Sequence, residues 1–376
     1  MGKEPKRLME TKIAFVGDIM PGGVLHGKPS GVSLEIKSYL KSFDFRVGTL
    51  ECAIGDEPTF DPVKMSLKQD VIYAPNINLD KLVELGINCV SLANNHIFDL
   101  GADGLKNTIC QLDKLGILHV GAGSNFEEAS RPVVITHEEH RIGFIGLCDF
   151  REETVGYVPI ATSKSPGVNS LSCDYVEQIK KLRKEVDYLY ILIHWGHEHT
   201  FWPDIHMLDT AKRCIDAGAT GIIGGHQHRI QPLVYYHNIP IFLGLGNFLF
   251  PPRYLRPPRP MYYPESHEDT SKFPITEEYP WVEVPTYKIW KRLGRIGAIG
   301  SICMTSEDTL CAHMRFVEMQ DNQLVYNHHP LNFIEHLEYL SVERTILNSG
   351  NYRFFKLAKT FNRVAKGILR RICKIK

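Results

Sequence analysis

The stretch INCVSLANNH, Ile87 to His96, joins a short apolar run to two asparagines and a histidine. The run has the length and the Ile, Val and Leu content of a strand that is buried on both faces. The three residues that follow it carry many hydrogen-bonding groups, and burial would leave each of these groups to be satisfied. Packing alone does not account for them, so this strand end indicates a functional site.

Apolar runs of the same kind recur along the first 250 residues, with amphipathic segments between them. The runs are KIAFVG (12–17), FRVGTL (45–50), INCVSLA (87–93), RIGFIGLC (141–148), YLYILI (188–193), TGIIGG (220–225) and IPIFLGLG (239–246). Three intervening segments predict helices: NLDKLVELG, with Asn78 as its N-cap and Gly86 at its end, GADGLKNTICQLDKLG and DIHMLDTAKRCIDAG. This alternation predicts an α/β protein.

Composition restricts the class of protein. Lys and Arg together number 43, as do Asp and Glu, so the bulk charge does not favour nucleic acid as a partner. The nine cysteines form no CxxC pair, which is the pattern of reduced thiols in a cytosolic protein. The N-terminus shows no apolar signal segment, and no run of about 18 apolar residues is present. We therefore expect a cytoplasmic protein.

The character of the chain changes after Phe250. Residues 251–285 are rich in proline and tyrosine, which predicts an irregular surface insertion, and a strand pair is expected at about 295–320. Residues 351–376 place apolar side chains on one helical face and carry positive charge alone. This basic amphipathic tail fits either an anionic membrane surface or a docking site on its own domain. The expected organisation is a domain at 11–335, with its core at 11–250, and the tail.

Polar groups follow five of the apolar runs at the point where each run stops. In open α/β sheets the functional crevice lies outside the carboxyl ends of the strands, so these groups are expected to converge. They suit divalent zinc, manganese or iron. The candidates are Asp18, Glu51, Asn95, His194, His226 and His228.

Several of these residues also have a structural interpretation. Asp18 could cap a helix, Glu51 could be a solvated loop carboxylate, and Asn95 could form an Asx turn. For His197 and His199, which lie beside His194, a structural role is favoured.

Taken together, the strand-end blocks resemble a known family, the bacterial capsule-synthesis CapA/PgsA proteins of poly-gamma-glutamate and capsule formation. The fold of that family is similar to the calcineurin-like metallophosphoesterases. The matching blocks, over residues 12–250, are FVGDIM, TLE, SLANNHIFDLGADGL, GAGSNFEEA, HWGHE, IDAGATGIIGGHQHRIQP and IPIFLGLGNFLF. The resemblance implies a four-layer α-β-β-α sandwich, here with the Pro-rich insertion and the basic tail added.

The resemblance also implies a dinuclear site for two divalent ions of manganese, zinc or iron. One ion would be held by Asp18 and His228, and Glu51 would bridge to the other. The second ion would be held by Asn95, His194 and His226. His96 would act as general acid or transition-state stabiliser, with Asp99 as its orienting partner.

Two departures from the phosphoesterase pattern bear on the reaction. Met20 stands where that pattern places a histidine, two residues after the first aspartate. Glu51, in TLE, replaces the bridging aspartate of a GD dipeptide. The first departure removes a ligand from one metal site.

Two functions are consistent with this sequence. The first is a metal-dependent hydrolase in surface-polymer biosynthesis that cleaves a phosphoester or, as the less favoured alternative, an amide of a glutamyl polymer. The second is a non-catalytic assembly factor that binds metal or polymer. In that role the basic tail would bring a synthase complex to the inner membrane face.

Overall fold

The computed structural model describes residues 10–56, 71–149, 158–257, 261–278, 281–304, 310–332, 335–336 and 338–340. The predicted tail at 351–376 lies outside the described residues. Within the described ranges, every helix is too short or too polar to cross a lipid bilayer. The division into a domain at 11–335 and a separate tail stays a prediction.

Six α-helices lie in the described part of the chain. They are α1 (Leu34–Lys41), α2 (Asp80–Glu84), α3 (Gly101–Lys114), α4 (Phe126–Ala129), α5 (Tyr175–Arg183) and α6 (Ile205–Asp216). The three helices predicted from the sequence are confirmed as α2, α3 and α6. Asn78 is not the N-cap of α2, however, because a 3-10 turn at Asn76–Leu79 precedes the helix and the side chain of Asn78 accepts from Lys81 Nζ.

The strands of the first half of the chain have two to nine residues. They are β1 (Thr11–Ile19), β2 (Phe45–Leu50), β3 (Ala53–Ile54), β4 (Tyr73–Ala74), β5 (Cys89–Ser91), β6 (Leu118–Val120), β7 (Ala122–Gly123), β8 (Val133–His137), β9 (His140–Cys148) and β10 (Gly167–Val168). The later strands are β11 (Tyr188–His194), β12 (Gly221–Gly225), β13 (Ile230–Tyr236), β14 (Ile239–Leu245), β15 (Asn247–Leu249), β16 (Arg253–Leu255), β17 (Met261–Tyr262), β18 (Ile275–Thr276), β19 (Thr286–Lys288), β20 (Ile296–Met304), β21 (Leu310–Gln320) and β22 (Gln323–Tyr326). Each of the seven apolar runs overlaps one of these strands.

Two large mixed sheets organise these strands. Among the described residues, the larger sheet has eight strands in the order β22-β21-β20-β1-β2-β5-β6, and β15 also pairs with β1. The second has six strands in the order β13-β14-β12-β11-β9-β8. Strands β1, β2, β5 and β6 are parallel, as are β9, β11, β12 and β14. The structure is therefore a mixed α/β fold with several sheets.

The alternating residues of β1 show how the sheets are layered. Ala14 and Val16 belong to a core with residues of α1 and α3. Ile13 and Phe15 belong to a second core with residues of the six-stranded sheet and of α5 and α6. The rings of Phe15 and Tyr190, one from each sheet, lie 5.2 Å apart between their centroids. The two sheets therefore face each other, and helices cover their outer faces.

The Pro-rich segment was predicted to be irregular, and this is wrong in part. Short strands β16, β17, β18 and β19 form a small four-stranded sheet among its described residues. No periodicity predicts these strands, because each has two or three residues. The strand pair expected at about 295–320 is present as β20 and β21.

Close backbone contact brings β1 against the loop before β15. A Cβ atom on Gly17 would lie 1.9 Å from the carbonyl oxygen of Gly246, so glycine is required at position 17. The backbone N–H of Asp18 donates to the same carbonyl at 2.9 Å. This contact fixes the end of β1, where Asp18 lies.

Candidate metal centre

The predicted site residues lie where parallel strands end. Asp18 is near the end of β1, Glu51 directly follows β2, His194 is the last residue of β11, and His226 directly follows β12. All four are at most 2% exposed. Because β1 and β2 belong to one sheet and β11 and β12 to the other, the site is built between the two sheets. Asp18 lies within a strand, which excludes its alternative role as a helix N-cap.

One group of donor atoms surrounds the Nε2 atom of His194. Asn95 Oδ1 lies 2.8 Å from this nitrogen, His226 Nδ1 lies 3.1 Å from it, and Glu51 Oε1 lies 3.3 Å from it. Two imidazole nitrogens at this separation can share at most one proton. Two imidazoles, an amide oxygen and a carboxylate are a donor set that binds a divalent transition metal.

A second group of donor atoms uses the same glutamate. Asp18, Glu51 and His228 each bring a ligand atom within 4.8 Å of the others. His228 Nε2 lies 3.8 Å from Glu51 Oε1, and His228 Nδ1 lies 3.9 Å from Asp18 Oδ2. Glu51 therefore belongs to both groups of potential metal ligands, and its bridging role stays a prediction.

The two adjacent asparagines have different tasks. Asn94 Nδ2 donates to the carbonyl of Leu50 at 2.8 Å, and Asn94 Oδ1 accepts from the backbone N–H of His96 at 3.0 Å. Asn94 thus forms the turn and ties it to the end of β2. Asn95 is left to direct its oxygen at His194, so the Asx turn considered for Asn95 belongs to its neighbour.

His96 and Asp99 form a buried pair. His96 Nδ1 lies 2.6 Å from Asp99 Oδ2, which also accepts from the backbone N–H of Ile72 at 2.7 Å. The hydrogen bond from Ile72 therefore fixes the carboxylate of Asp99 in the orientation in which it contacts the imidazole of His96. His96 also lies close enough to His228 to help lower the pKa of that residue.

Asn247 orients His228. The Nδ2 group of Asn247 donates to the carbonyl of Gly294 at 2.7 Å, so its Oδ1 atom must be the acceptor in the 2.8 Å contact with His228 Nδ1. His228 Nδ1 therefore carries a proton, and the Nε2 lone pair is left to face Glu51. Such a hydrogen bond sets both the tautomer and the ring orientation of a ligating histidine.

The turn that carries His226 and His228 is strained. Both residues have positive φ angles, 94° and 47°, which cost a residue with a side chain about 1–3 kcal/mol each. The backbone N–H of His226 donates to Asp18 Oδ2 at 3.1 Å. A Cβ atom on Gly225 would lie 2.6 Å from Asp18 Oδ1, so the glycine lets the carboxylate approach. The backbone is shaped around this aspartate.

Burial controls protonation at the cluster. Burial raises the pKa of Asp18 to about 7, although the N–H of His226 opposes this and Glu198 adds to it. The pKa of His228 is well below its ordinary value because of burial and of His199, His226 and His96. Among the described residues, Asp18 Oδ1 is buried and has no hydrogen-bond partner. A neutral imidazole and a buried carboxylate oxygen without a hydrogen-bond partner are better suited to binding a cation than to pairing with each other.

Met20 fills the position at which the sequence departs from the phosphoesterase pattern. It is fully buried, and its sulfur lies 3.3 Å from the backbone nitrogen of Gly22. Its thioether is a soft, neutral ligand at best. The group formed by Asp18, Glu51 and His228 therefore has fewer strong donors than the group around His194.

Residues that the sequence did not assign to the site surround His228. The ring of Trp290 lies 4.8 Å from that of His228, and the ring of His199 lies 6.0 Å from it. The Nη1 atom of Arg229 donates to the carbonyl of His228 at 3.2 Å. Arg229 directly follows the HQH turn in sequence, so its location beside His228 could have been predicted. Trp290 lies just beyond the Pro-rich segment, and nothing in its local sequence predicts this contact.

Three comparisons with known proteins relate this chain to others. A model of the family described as bacterial capsule synthesis protein PGA_cap matches residues 12–252. The chain is 30% identical over 266 residues to the capsule biosynthesis protein CapA of Bacillus anthracis, an alignment that covers 66% of this chain and 61% of the relative. It is 25% identical over 244 residues to the PGA biosynthesis protein CapA of Bacillus subtilis, with 63% of this chain and 62% of the relative covered.

Among solved structures, a similar one is a candidate 5'-nucleotidase of Staphylococcus aureus in complex with alpha-ketoglutarate. The two share 12% identity at a TM-score of 0.45, and the similarity covers 90% of this chain and 59% of the other. At this level the similarity carries no argument about the site.

The chain spans about three fifths of the length of the curated relatives it matches. The family model, by contrast, covers well over half of this chain and includes every residue of the donor cluster. The chain therefore belongs to the bacterial capsule synthesis protein family.

Proposed function

We propose that this protein is a metal-dependent hydrolase of surface-polymer biosynthesis, with a phosphoester as the preferred substrate and an amide of a glutamyl polymer as the alternative. Its fold would be the four-layer α-β-β-α sandwich of the metallophosphoesterases. The observation that carries the proposal is Glu51, which is fully buried and shared by two groups of metal-binding side chains. A carboxylate in this position could bind both ions of a dinuclear site.

The donor sets fit two divalent ions of manganese, zinc or iron. Asn95, His194 and His226 would hold one ion, Asp18 and His228 would hold the other, and Glu51 would contact both. When bound, the ions would supply Lewis acidity and a nucleophile at neutral pH. The chain itself positions the ligands, since Asn247 orients His228 and the N–H of His226 holds Asp18.

His96 would handle the proton of the leaving group. Its Nδ1 proton is held by Asp99, so Nε2 is the atom that can donate to a leaving oxygen. After donation the imidazole is neutral and keeps its hydrogen bond to the carboxylate. Because the backbone N–H of Ile72 also holds Asp99, the pair keeps its orientation throughout.

Substitution of His96 tests the enzymatic function. His96→Gln should lower kcat about 10²–10⁴-fold on a phosphoester that the wild type hydrolyses, with unchanged metal content by elemental mass spectrometry. His119→Gln is a matched control, because His119 pairs with Asp113 at 3.2 Å on the surface. Full activity of the His96 variant would exclude catalysis by this residue.

The assembly factor remains the second candidate, and Met20 favours it. A thioether in place of an imidazole weakens one metal group, and hydrolysis by two ions depends on both. Elemental analysis of the wild type beside an Asp18→Ala, His226→Ala double variant tests whether the dinuclear site that hydrolysis requires is present, and the His96 variant then separates a hydrolase from a metal-binding assembly factor. Close to two metal equivalents, lost in the variant, would support the hydrolase. No bound metal after loading with each ion would support the assembly factor.

Location and partners are part of the same proposal. We infer a cytoplasmic protein that acts on a surface-polymer substrate or with a polymer synthase complex, and we infer no role in nucleic-acid binding. The basic tail at 351–376 would give peripheral contact with the inner membrane face.

A further inference from the structure

Two cysteines lie directly opposite each other on neighbouring strands of the eight-stranded sheet. Cys303 on β20 pairs with Cys311 on β21 in the antiparallel register. Residues that are directly opposed in this way place their side chains on the same face of the sheet. We call Cys303 and Cys311 the dithiol pair. The proposed reaction at the metal centre makes no use of it.

The register brings the dithiol pair within reach of a disulfide bond. Opposed residues on antiparallel strands have Cα atoms about 4.5 or 5.5 Å apart, depending on the hydrogen-bonding pattern. A disulfide is compatible with Cα separations of about 4.4–6.8 Å, so either pattern allows one. The ladder between β20 and β21 is regular from Ile296 to Met304, so no bulge displaces the two cysteines from each other. Only a small approach of the two strands is needed to form the bond.

The two thiols differ in their access to solvent. Cys311 is exposed, whereas Cys303 is partly buried. Burial raises the pKa of Cys303, Lys12 on the neighbouring strand β1 opposes this, and Glu10, Cys311 and Asp44 add to it. A small molecule in solution therefore reaches Cys311 first. Cys303 is positioned to react with a sulfur that is brought directly beside it.

The other cysteines are arranged differently. Within the strands that the structure describes, no other ladder places cysteine opposite cysteine. Four further thiols are buried, which keeps them from reagents in solution; they are Cys52, Cys89, Cys148 and Cys214. Cys110 is exposed on helix α3. It therefore shares the exposure of Cys311 without its partner across a strand ladder, and it serves as a matched comparison.

The dithiol pair is remote from the metal centre along β20. Gly297, near the start of this strand, lies against the backbone of Asn247, whose side chain orients His228. Cys303 lies six residues further along the strand, which is about 20 Å of extended chain. The two thiols are thus not ligands of that centre, and an inference about them goes beyond the proposed function.

We propose that Cys303 and Cys311 form a redox-reactive site that exchanges with low-molecular-weight disulfides. The thiolate of Cys311 attacks one sulfur of the small disulfide and releases the other half as a thiolate. The thiolate of Cys303 then attacks the sulfur of Cys311 and releases the second half. The two protons of the cysteine thiols end on the two released thiolates, so the small disulfide is reduced by two electrons and the protein is oxidised by two. The Cys303–Cys311 disulfide joins β20 to β21 covalently, and excess thiol reverses both steps.

Mass spectrometry of the full-length protein tests this exchange. One tryptic peptide, residues 296–315, carries both cysteines, because the chain has no Lys or Arg between Arg295 and Arg315. The protein is equilibrated in equimolar oxidised and reduced glutathione, quenched with acid, alkylated and digested. The peptide carries two alkyl groups if the thiols are free, lacks two hydrogen atoms if the disulfide has formed, and carries glutathione if the exchange stops after its first step.

We expect more than about half of this peptide from the wild type to contain the disulfide, and dithiothreitol should return it to the doubly alkylated form. In Cys303→Ser the second step is impossible, so glutathione should stay on Cys311. The wild type should carry at least about tenfold less glutathione on Cys311 than this variant does, because the neighbouring thiol displaces it. Cys110 should carry the same amount of glutathione in both proteins.

A wild-type peptide that keeps both alkyl groups, or that accumulates glutathione as Cys303→Ser does, would overturn the proposal. A disulfide from this peptide to another one, such as the peptide of Cys373, would overturn it as well. The deciding measurement is made on the wild type, so it does not depend on the folding of a variant. Because it involves neither metal nor turnover, an absence of hydrolysis would refute the proposed function and leave this result intact.

Discussion

In the metal-free protein, the contribution of Asp18 to the free energy of unfolding should fall as the pH rises. Burial raises the pKa of its carboxyl group from 3.8 to about 7 in the folded protein. The unfolded chain returns the group to its ordinary value. Between these two pKa values the folded state binds the proton more tightly than the unfolded state does.

The sign and size follow from this difference. The stabilising contribution of protonated Asp18 is fully present below about pH 4 and is lost as the pH rises through about 7. The rise of the Asp18 pKa from 3.8 to about 7 corresponds to about 4 kcal/mol of stability over this window, because each pH unit between the two values is worth about 1.4 kcal/mol. Asp18→Asn removes the titration but keeps the shape and the acceptor for the N–H of His226.

The assay is urea unfolding of chelator-treated wild type and Asp18→Asn at half-unit steps from pH 4 to pH 8. Other groups titrate in both proteins, so the quantity to follow is the difference between the two free energies of unfolding. It should change by about 4 kcal/mol in favour of the variant as the pH rises. A difference that stays flat across the range would refute the raised pKa of Asp18.

Three further predictions concern the ligand groups and the tail. Asn247→Leu should weaken metal binding about 10–100-fold at the group containing His228, and Asn247→Asp should restore it. The measurement is a manganese titration. An equal loss of affinity at both ligand groups would indicate general damage to the fold instead. Met20→His should tighten the weaker of the two sites, as read from metal stoichiometry at limiting manganese, and an unchanged stoichiometry would argue that position 20 does not face the ion. Truncation after Asn351 should abolish sedimentation with anionic vesicles, so a truncated protein that still sediments with them would remove the tail from the membrane proposal.

Much of the fold could be predicted from the sequence because its strands are apolar and end in polar residues. The run FRVGTL coincides with β2, and YLYILI lies within β11. Predictions from local sequence were wrong where long-range contacts determine the structure. Asn78 has the composition of an N-cap, yet its side chain accepts from Lys81 and a preceding turn starts the helix. The small sheet at 253–288 has no sequence periodicity because its strands are too short to show one.

The donor cluster was predictable for the same reason as the sheets, since parallel strands bring their carboxyl ends together. The division of labour between Asn94 and Asn95 was not, because both amides look alike in sequence and only the hydrogen bond to the carbonyl of Leu50 separates them. The ring of His199, for which a structural role was favoured, lies 6.0 Å from that of His228, a contact that its position in sequence does not predict. Trp290 reaches the site through long-range packing, which a single sequence does not encode locally.

The strained turn and the buried carboxylate of the donor cluster are unfavourable for the metal-free fold. The positive φ angles of His226 and His228 cost about 1–3 kcal/mol each, and ionised Asp18 adds about 4 kcal/mol near neutral pH. Net stabilities of folded domains are about 5–15 kcal/mol, so these terms together are a large fraction of what a metal-free protein has. A ligand that binds the folded state alone at a hundred times its Kd returns about 2.7 kcal/mol, and two such ions return about twice that. The strained turn, the buried carboxylates and the oriented imidazoles all meet around Glu51. The two proposed metal ions would therefore offset these costs at one place, which a purely structural role for the same residues would not do.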